Sequence, residues 1–470
     1  MKKCLSLWFA STLATSVFGA ANWPQFRGPD ASAVANDGEP LIHFGPASNV
    51  LWRVALPAGN SSPVIWGDRL FLTAFDKPQL QTLCLNRRDG KTLWTQSVTP
   101  EKIEPVNRTS TPAAPSPVTD GERVYVYFGS FGLLAYDFEG REQWRLPLPP
   151  PVLDFGTGTS PILVGNLLIL TRDQDLSSEL LALDKRTGKT VWRVARPEFR
   201  RGFATPIVWR HDGEEELIVP GSLWLKSYSL KDGAENWTVS GMSRVPASSP
   251  AAGDGLLFCA SWNAGGDEGD RVVMPPFAEF ARDHDQNKDG KLSADEIPTG
   301  PVRERFSQMD LNKDGLVTPV EWQMLREMFA KTGNALLAIR PGGRGDITAS
   351  HVAWKVTRSL PYVASPLYHQ GRVYTIKNGG LVSCYDARTG KVFYQDERID
   401  APGDYYASII AAGDKVFLTS LEGVVTALHT GDELKVLARN RFDEAIGSTP
   451  AIVEGKLYVR TASQLFAIGK

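Results

Sequence analysis

The chain has 470 residues, 42% hydrophobic and 22% charged, with a formal net charge of −2. That composition supplies a large apolar core and excludes wholesale disorder. It also excludes a broad nucleic-acid face, which needs an excess of Lys and Arg; length alone points to about three domains.

The N-terminus has the order of an export signal. Lys2 and Lys3 precede an uncharged run from Cys4 to Pro24, and Gly19, Ala20 and Ala21 offer small residues for cleavage. Residues 1–21 are therefore expected to be a signal peptide, and the mature chain to be periplasmic or secreted. Cys4 stands before the apolar run, out of place for lipid attachment. No later stretch reaches the ~18 apolar residues that span a bilayer, so no transmembrane segment is expected. Cys84, Cys259 and Cys384 each sit in apolar strand-like text without a CxxC or an adjacent pair, as small buried hydrophobes do.

From residue 62 onward the chain repeats. Ser62, Ser116, Ser160, Thr205, Ser249, Ser365, Ser408 and Thr449 each open a strand, seven of them directly before Pro. The starts lie 41 to 54 residues apart, except for one interval of 116. Units close on a second signature, as LALDKRTGKTVW does at Trp192. An apolar strand enters a polar turn, Gly takes the positive-φ position, and a second strand carries an aromatic four residues later. The same register places Trp94, Trp144, Trp237 and Tyr394. A large residue repeated at fixed register reads as packing between neighbouring sheets.

About 44 residues with four strands make one propeller blade, so eight starts make eight blades. Trp52 lies on a closing strand with no unit before it, and LFAIGK at the C-terminus lacks a closing strand after it. The expectation is an all-β, eight-bladed β-propeller over residues 22–274 and 334–470, closed by its N- and C-terminal strands. The A-x-D-x-x-T-G-K-x-x-W pattern at 182–192 resembles the pyrrolo-quinoline-quinone-type (PQQ-like) propeller repeat, and WPQFRGP at 23–29 is similar to the start of exported bacterial members. The resemblance covers nearly the whole mature chain outside the long interval. It implies the fold; the family holds quinone-dependent dehydrogenases and outer-membrane assembly scaffolds alike. Its quinone dehydrogenases set a vicinal Cys pair against the cofactor. This chain has no Cys-Cys, so PQQ binding is not expected.

The long interval falls between the second and third strands of the blade that starts at Ser249, which puts residues 275–333 on the face of the blade-to-blade connections. It holds two loops with EF-hand spacing. Asp285, Asn287, Asp289 and Glu296 take positions 1, 3, 5 and 12 of the first, with Gly290 at 6; Asp310, Asn312, Asp314 and Glu321 take those of the second, with Gly315 at 6. Ca²⁺ needs six to eight oxygens, and the carbonyls of Lys291 and Leu316 are expected to add to the side chains. Leu292 and Val317 at position 8 can pair the loops through a short strand, and Ser293 and Thr318 can cap the exiting helices, with Pro319 at the first helical position. Apolar spacing at Val302, Phe306 and Met309, then at Val320, Met324, Met328 and Phe329, is expected to pack the pair together. Two bound Ca²⁺ ions follow.

No catalytic constellation stands out: the six His are scattered, and HExxH, GxSxG and Gly-rich phosphate loops are missing. Arg344-Gly345-Asp346 falls in a Gly-rich turn between strands. The blade connections bring Asn107, Arg108 and Phe155 to the channel mouth. A candidate ligand pocket of Arg200, Arg201, Phe203, Arg244, Tyr362, Asp404, Tyr405 and Tyr406 is expected there. The expected function is that of an exported calcium-binding propeller that binds or scaffolds, with a protein or small-molecule ligand at this face. The alternatives are a quinoprotein-like or other enzyme using the mouth, and a calcium-dependent sensor of a partner protein.

Blades contact only their neighbours, and a long surface loop costs little closure entropy. Replacing residues 275–333 by a short Gly-Ser turn is expected to leave a folded β-protein by circular dichroism. Recovery of aggregates alone would place the interval in the core.

Overall fold

The computed structural model describes residues 22–267 and 269–470; the expected signal peptide, Cys4 included, lies outside them. Eight sheets form the eight blades. In the first, Val64–Trp66, Arg69–Asp76, Gln79–Asn86 and Thr92–Val98 run as an antiparallel meander. The middle two strands are sandwiched between neighbouring sheets and buried along most of their length, whereas the outermost alternates because one of its faces is wet. Val50–Ala55 pairs antiparallel with Gln464–Ile468, so the eighth sheet draws on both ends of the chain.

The Ser and Thr that start the repeats stand side by side around the central channel. The backbone N–H of each donates to the hydroxyl of the next: Ser62 to Ser116, then Ser160, Thr205, Ser249, Ser365, Ser408, Thr449 and back to Ser62, at 2.8–3.4 Å. All eight residues are buried. A second set of links lies near the rim. The indole N–H groups of Trp52, Trp94, Trp144, Trp192 and Trp354 donate to the carbonyls of Arg87, Phe138, Lys185, Leu230 and Ala387, each in the turn of the next blade. The turn glycine is needed twice over. Gly188 has φ +70°, and a Cβ there would stand 2.7 Å from the Trp144 ring.

Residues 22–35 cross the end of the channel. Trp23 bridges Ile65, the Pro24 carbonyl accepts from Thr119 N–H, Arg27 donates to the carbonyls of Pro250 and Pro366, and Val34–Ala35 pairs with Ile410–Ala412. A segment this short that reaches the first, second, fifth, sixth and seventh blades must run across the axis. Its Phe26 lines the central cavity from that end.

The fifth blade consists of Ala251–Gly253, Leu256–Ser261, Ala335–Ile339 and Val352–Val356. The inserted segment leaves between its second and third strands. It folds as α1 (Phe277–His284), α2 (Phe306–Met309) and α3 (Pro319–Lys331) around its own apolar cluster. Gly345–Asp346 of the Arg344-Gly345-Asp346 turn adds a short parallel strand to Glu235–Ser240 of the fourth blade. Cys84, Cys259 and Cys384 are free and buried in separate blades, and burial pushes the thiols of Cys84 and Cys384 up to about 12. Among the described residues no helix is long and apolar enough to cross a membrane.

The two roles of the turn glycine can be separated. Gly165 has φ +54° with open space where a Cβ would stand, whereas Gly188 faces Trp144. Gly165→Ala is expected to cost about 1 kcal/mol from the backbone alone. Gly188→Ala adds overpacking and is expected to cost about 3 kcal/mol. Urea midpoints of the two variants measure the difference.

Candidate functional site

Each inserted loop begins at a helix end, where Asp285 closes α1 and Asp310 closes α2. The two loops then fold alike. Gly290 N–H donates to Asp285 Oδ2 and Gly315 N–H to Asp310 Oδ2, both at 3.0 Å. The amide oxygens of Asn287 and Asn312 accept from the N–H of Asp289 and Asp314. Asp289 and Asp314 in turn accept from the N–H of Lys291 and Leu316. Glu296 and Glu321 fold back across their loops, taking the N–H of Gln286 and Leu311 on one oxygen and Ser293 or Thr318 on the other. Leu292 pairs with Val317 and Ser293 with Leu316, so position 8 joins the loops as a two-stranded ladder.

The sharp turn needs the glycines, with φ +78° at Gly290 and +83° at Gly315. Hydrogen bonds from Ser293 hold the Glu296 carboxyl below the usual carboxylate range, and the Leu316 N–H does the same for Asp314. Among the described residues no group of three or more His, Cys, Asp or Glu side chains converges as a ready cage, because each carboxylate rests on its own loop's N–H groups. The donor set still fits a hard cation. Its side-chain ligand atoms are oxygens, and Asp285 Oδ1 is buried without a hydrogen-bond partner.

The helices are shorter than the spacing suggests. After the first loop only the turn Ala294–Glu296 forms before Pro298 stops it. Thr318 and Glu321 form the capping box of α3. Its inward face is Trp322, Leu325 and Phe329, three and four residues apart. Of the expected packing residues, Val320 is 78% exposed and Met324 and Met328 are only half-buried. Met274, just before the expected boundary at 275, packs in this cluster.

The insert rests on the channel mouth. Arg201 donates to the carbonyl of Ser307 at 3.2 Å and Arg244 to Gln308 Oε1 at 2.5 Å, both from blade connections to α2. Below lies a cavity of about 300 Å³. Arg201, Phe203, Arg244, Tyr362 and Tyr406 line it, with Asn107 and Phe155. The other three expected pocket residues do not. Arg200 reaches the Asp175 carbonyl and Met324 Sδ, Tyr405 is buried with its hydroxyl on the Ala401 carbonyl, and Asp404 is held by its N–H on Glu422. The structure adds Phe26 from the crossing segment, Gln308 from the insert, and the eight hydroxyls of the ring. The hydroxyls were visible in the sequence as repeat starts; Phe26 and Gln308 carried no local signal.

Behind the cavity wall stands a buried carboxyl. Glu104 accepts from Thr157, a lining residue, at 2.7 Å, and its Oε1 has no partner. Burial raises it from 4.5 to about 7, with Thr157 and the more distant Arg172 opposing. Between these values the folded chain holds a proton that the unfolded chain has lost. The group's contribution to stability is therefore complete below 4.5 and falls as pH rises through about 7, by a total on the order of 3 kcal/mol. Glu104→Gln is expected to remove that slope and to raise stability at about pH 8 more than at about pH 5. Denaturant titrations at the two pH values check it.

Among solved structures, BamB from Moraxella catarrhalis is similar over 88% of this chain and 97% of its own, with a TM-score of 0.55 and 13% identity. The computationally designed Ika8 protein is similar over 90% and 100%, with a TM-score of 0.55 and 8% identity. The quinohemoprotein alcohol dehydrogenase from Comamonas testosteroni is similar over 95% and 80%, with a TM-score of 0.54 and 12% identity. These likenesses show the fold alone. A search of curated protein sequences gave no match. A family model described as outer membrane protein assembly factor BamB matches residues 39–212 and 304–468. With both segments matched, more than half of its length, the chain belongs to that family of PQQ-like β-propellers.

Proposed function

We propose that this chain is an exported, calcium-binding β-propeller that acts by binding or scaffolding, with a partner protein or small ligand at its channel-mouth face. The ring is sealed where Val50–Ala55 completes the eighth blade, and the inserted EF-hand pair holds two Ca²⁺ ions. One observation carries the reading. The two loops repeat the same hydrogen bonds and share a ladder, and the unit they build is fastened to the mouth through Arg201 and Arg244. Asp285, Asn287, Asp289 and Glu296 would hold one ion and Asp310, Asn312, Asp314 and Glu321 the other, with the carbonyls of Lys291 and Leu316. The bound ion would replace the loop's N–H groups as partner of the carboxylates and set α2 rigidly beside the cavity. Membership in a family described as an outer-membrane assembly factor favours a protein partner and an envelope location.

A second reading, catalysis at the mouth, draws on the raised carboxyl of Glu104 behind Thr157. A quinone suits it poorly, since none of the three described cysteines lines the cavity. Dye reduction after adding PQQ and Ca²⁺ would favour this reading over scaffolding.

Calorimetry with Ca²⁺ is expected to give saturable binding at micromolar to sub-millimolar concentrations, with Mg²⁺ much weaker. Glu296→Gln with Glu321→Gln is expected to abolish most of the heat and loosen residues 276–332 towards proteolysis, while the β-signal in circular dichroism stays. No saturable heat below about 10 mM Ca²⁺ would sink the calcium assignment.

A further inference from the structure

The only charged side chains lining the mouth cavity, among the described residues, are two arginines. Arg201 is 4% exposed and Arg244 8%. They are not equivalent. Arg201 sets two nitrogens against both oxygens of Asp175 at 2.7 Å, and its remaining nitrogen, Nη1, is buried without a partner. Arg244 has no carboxylate in any ion pair among the described residues; it reaches a neutral amide, Gln308 Oε1, and its Nε is buried and unpartnered. Arg305 stands close by, since Arg244 and Arg305 lie 5.1 and 5.6 Å from the centre of the same Phe329 ring. Burial, then the charges of Arg305 and Arg201, lower Arg244 to about 10.

A buried guanidinium without a counter-charge is costly, and a clamp onto a glutamine carbonyl does not need the charge. An incoming anion would meet the positive charge of both arginines at the cavity wall, and charge-assisted bonds to a guanidinium are the strong ones. The rest of the wall suits an organic body. Phe155 packs edge-on to Phe203 and Tyr362 edge-on to Tyr406, and the hydroxyl ring and Phe26 form the base.

We propose that the mouth cavity is a binding site for a small organic anion, its head group between Arg201 and Arg244 and its body among Phe155, Phe203, Tyr362 and Tyr406, with Gln308 of the insert as one wall. It rests on the reading of this face as the binding face and names the class of ligand.

Isothermal titration of the full-length mature chain in Ca²⁺, with benzoate, phenyl phosphate and neutral benzyl alcohol as probes, tests it. One or both anions are expected to bind saturably, at least about tenfold more tightly than the alcohol, and the tighter of the two identifies the head group. Arg244→Gln is expected to remove that preference. If this variant does not fold, Gln308→Glu decides, because it places a carboxylate against Arg244 and is expected to weaken anion binding by about tenfold or more. Equal binding of benzyl alcohol, no anion binding up to about 10 mM, or unchanged anion binding in a folded variant overturns the proposal. A separate Ca²⁺ titration of the same samples tells its failure from that of the calcium assignment: an anion isotherm without a calcium isotherm upholds this site and removes the other.

Discussion

The ring of hydroxyls around the channel is the constraint on which the rest of the molecule depends. Each innermost strand begins with a buried N–H that faces the axis, where no further strand can accept it, and a buried N–H must find a partner. A Ser or Thr at the equivalent position of the next blade supplies an acceptor at short reach, at 2.8–3.4 Å in all eight cases. The Pro that usually follows has no N–H to satisfy and a fixed φ. Because the bonds form a closed cycle, the junction between Thr449 and Ser62 is chemically the same as the other seven. The Trp-to-turn bonds reinforce this cycle at larger radius, where Trp52 carries it across the same junction to Arg87.

Buried arginines fasten the places that the repeat does not reach. Arg460 ties the eighth blade to the first through Ser61 and the Thr73 carbonyl, and Arg27 ties the crossing segment to the fifth and sixth blades. Both have only neutral partners, and burial lowers each to about 9. Arg196 faces Asp173 through two bonds of 2.8 Å, and the carboxylate holds its charge firmly in place. Arg244 differs from all of them, because it lines a cavity rather than a packed seam.

A cyclic array of neighbour contacts also explains how the fifth blade tolerates its insert. The segment enters and leaves between two adjacent strands, Leu256–Ser261 and Ala335–Ile339, which pair in full register regardless of what joins them. The family match lapses over residues 213–303, which include the first loop. The same propeller in BamB, in an alcohol dehydrogenase and in a designed protein shows that the fold leaves function to what is mounted on it.

The sequence by itself determined the blades, the Trp register and both loops. Those features are written either within twelve residues, as from Asp285 to Glu296, or eight times over, as from Ser62 to Thr449, so local pattern and repetition suffice. It also marked the mouth connections, but not which of their side chains enter the cavity. Arg200 and Arg201 are neighbours in one connection; Arg201 lines the cavity and Arg200 turns to Met324. Tyr405 and Tyr406 divide in the same way, one buried on Ala401 and the other in the wall. Only the tertiary structure decided these, together with the Phe26 base and the Gln308 wall. Their positions follow from where segments hundreds of residues apart are brought by closure of the ring, and a one-residue step along a connection reverses the direction of a side chain without altering the pattern around it.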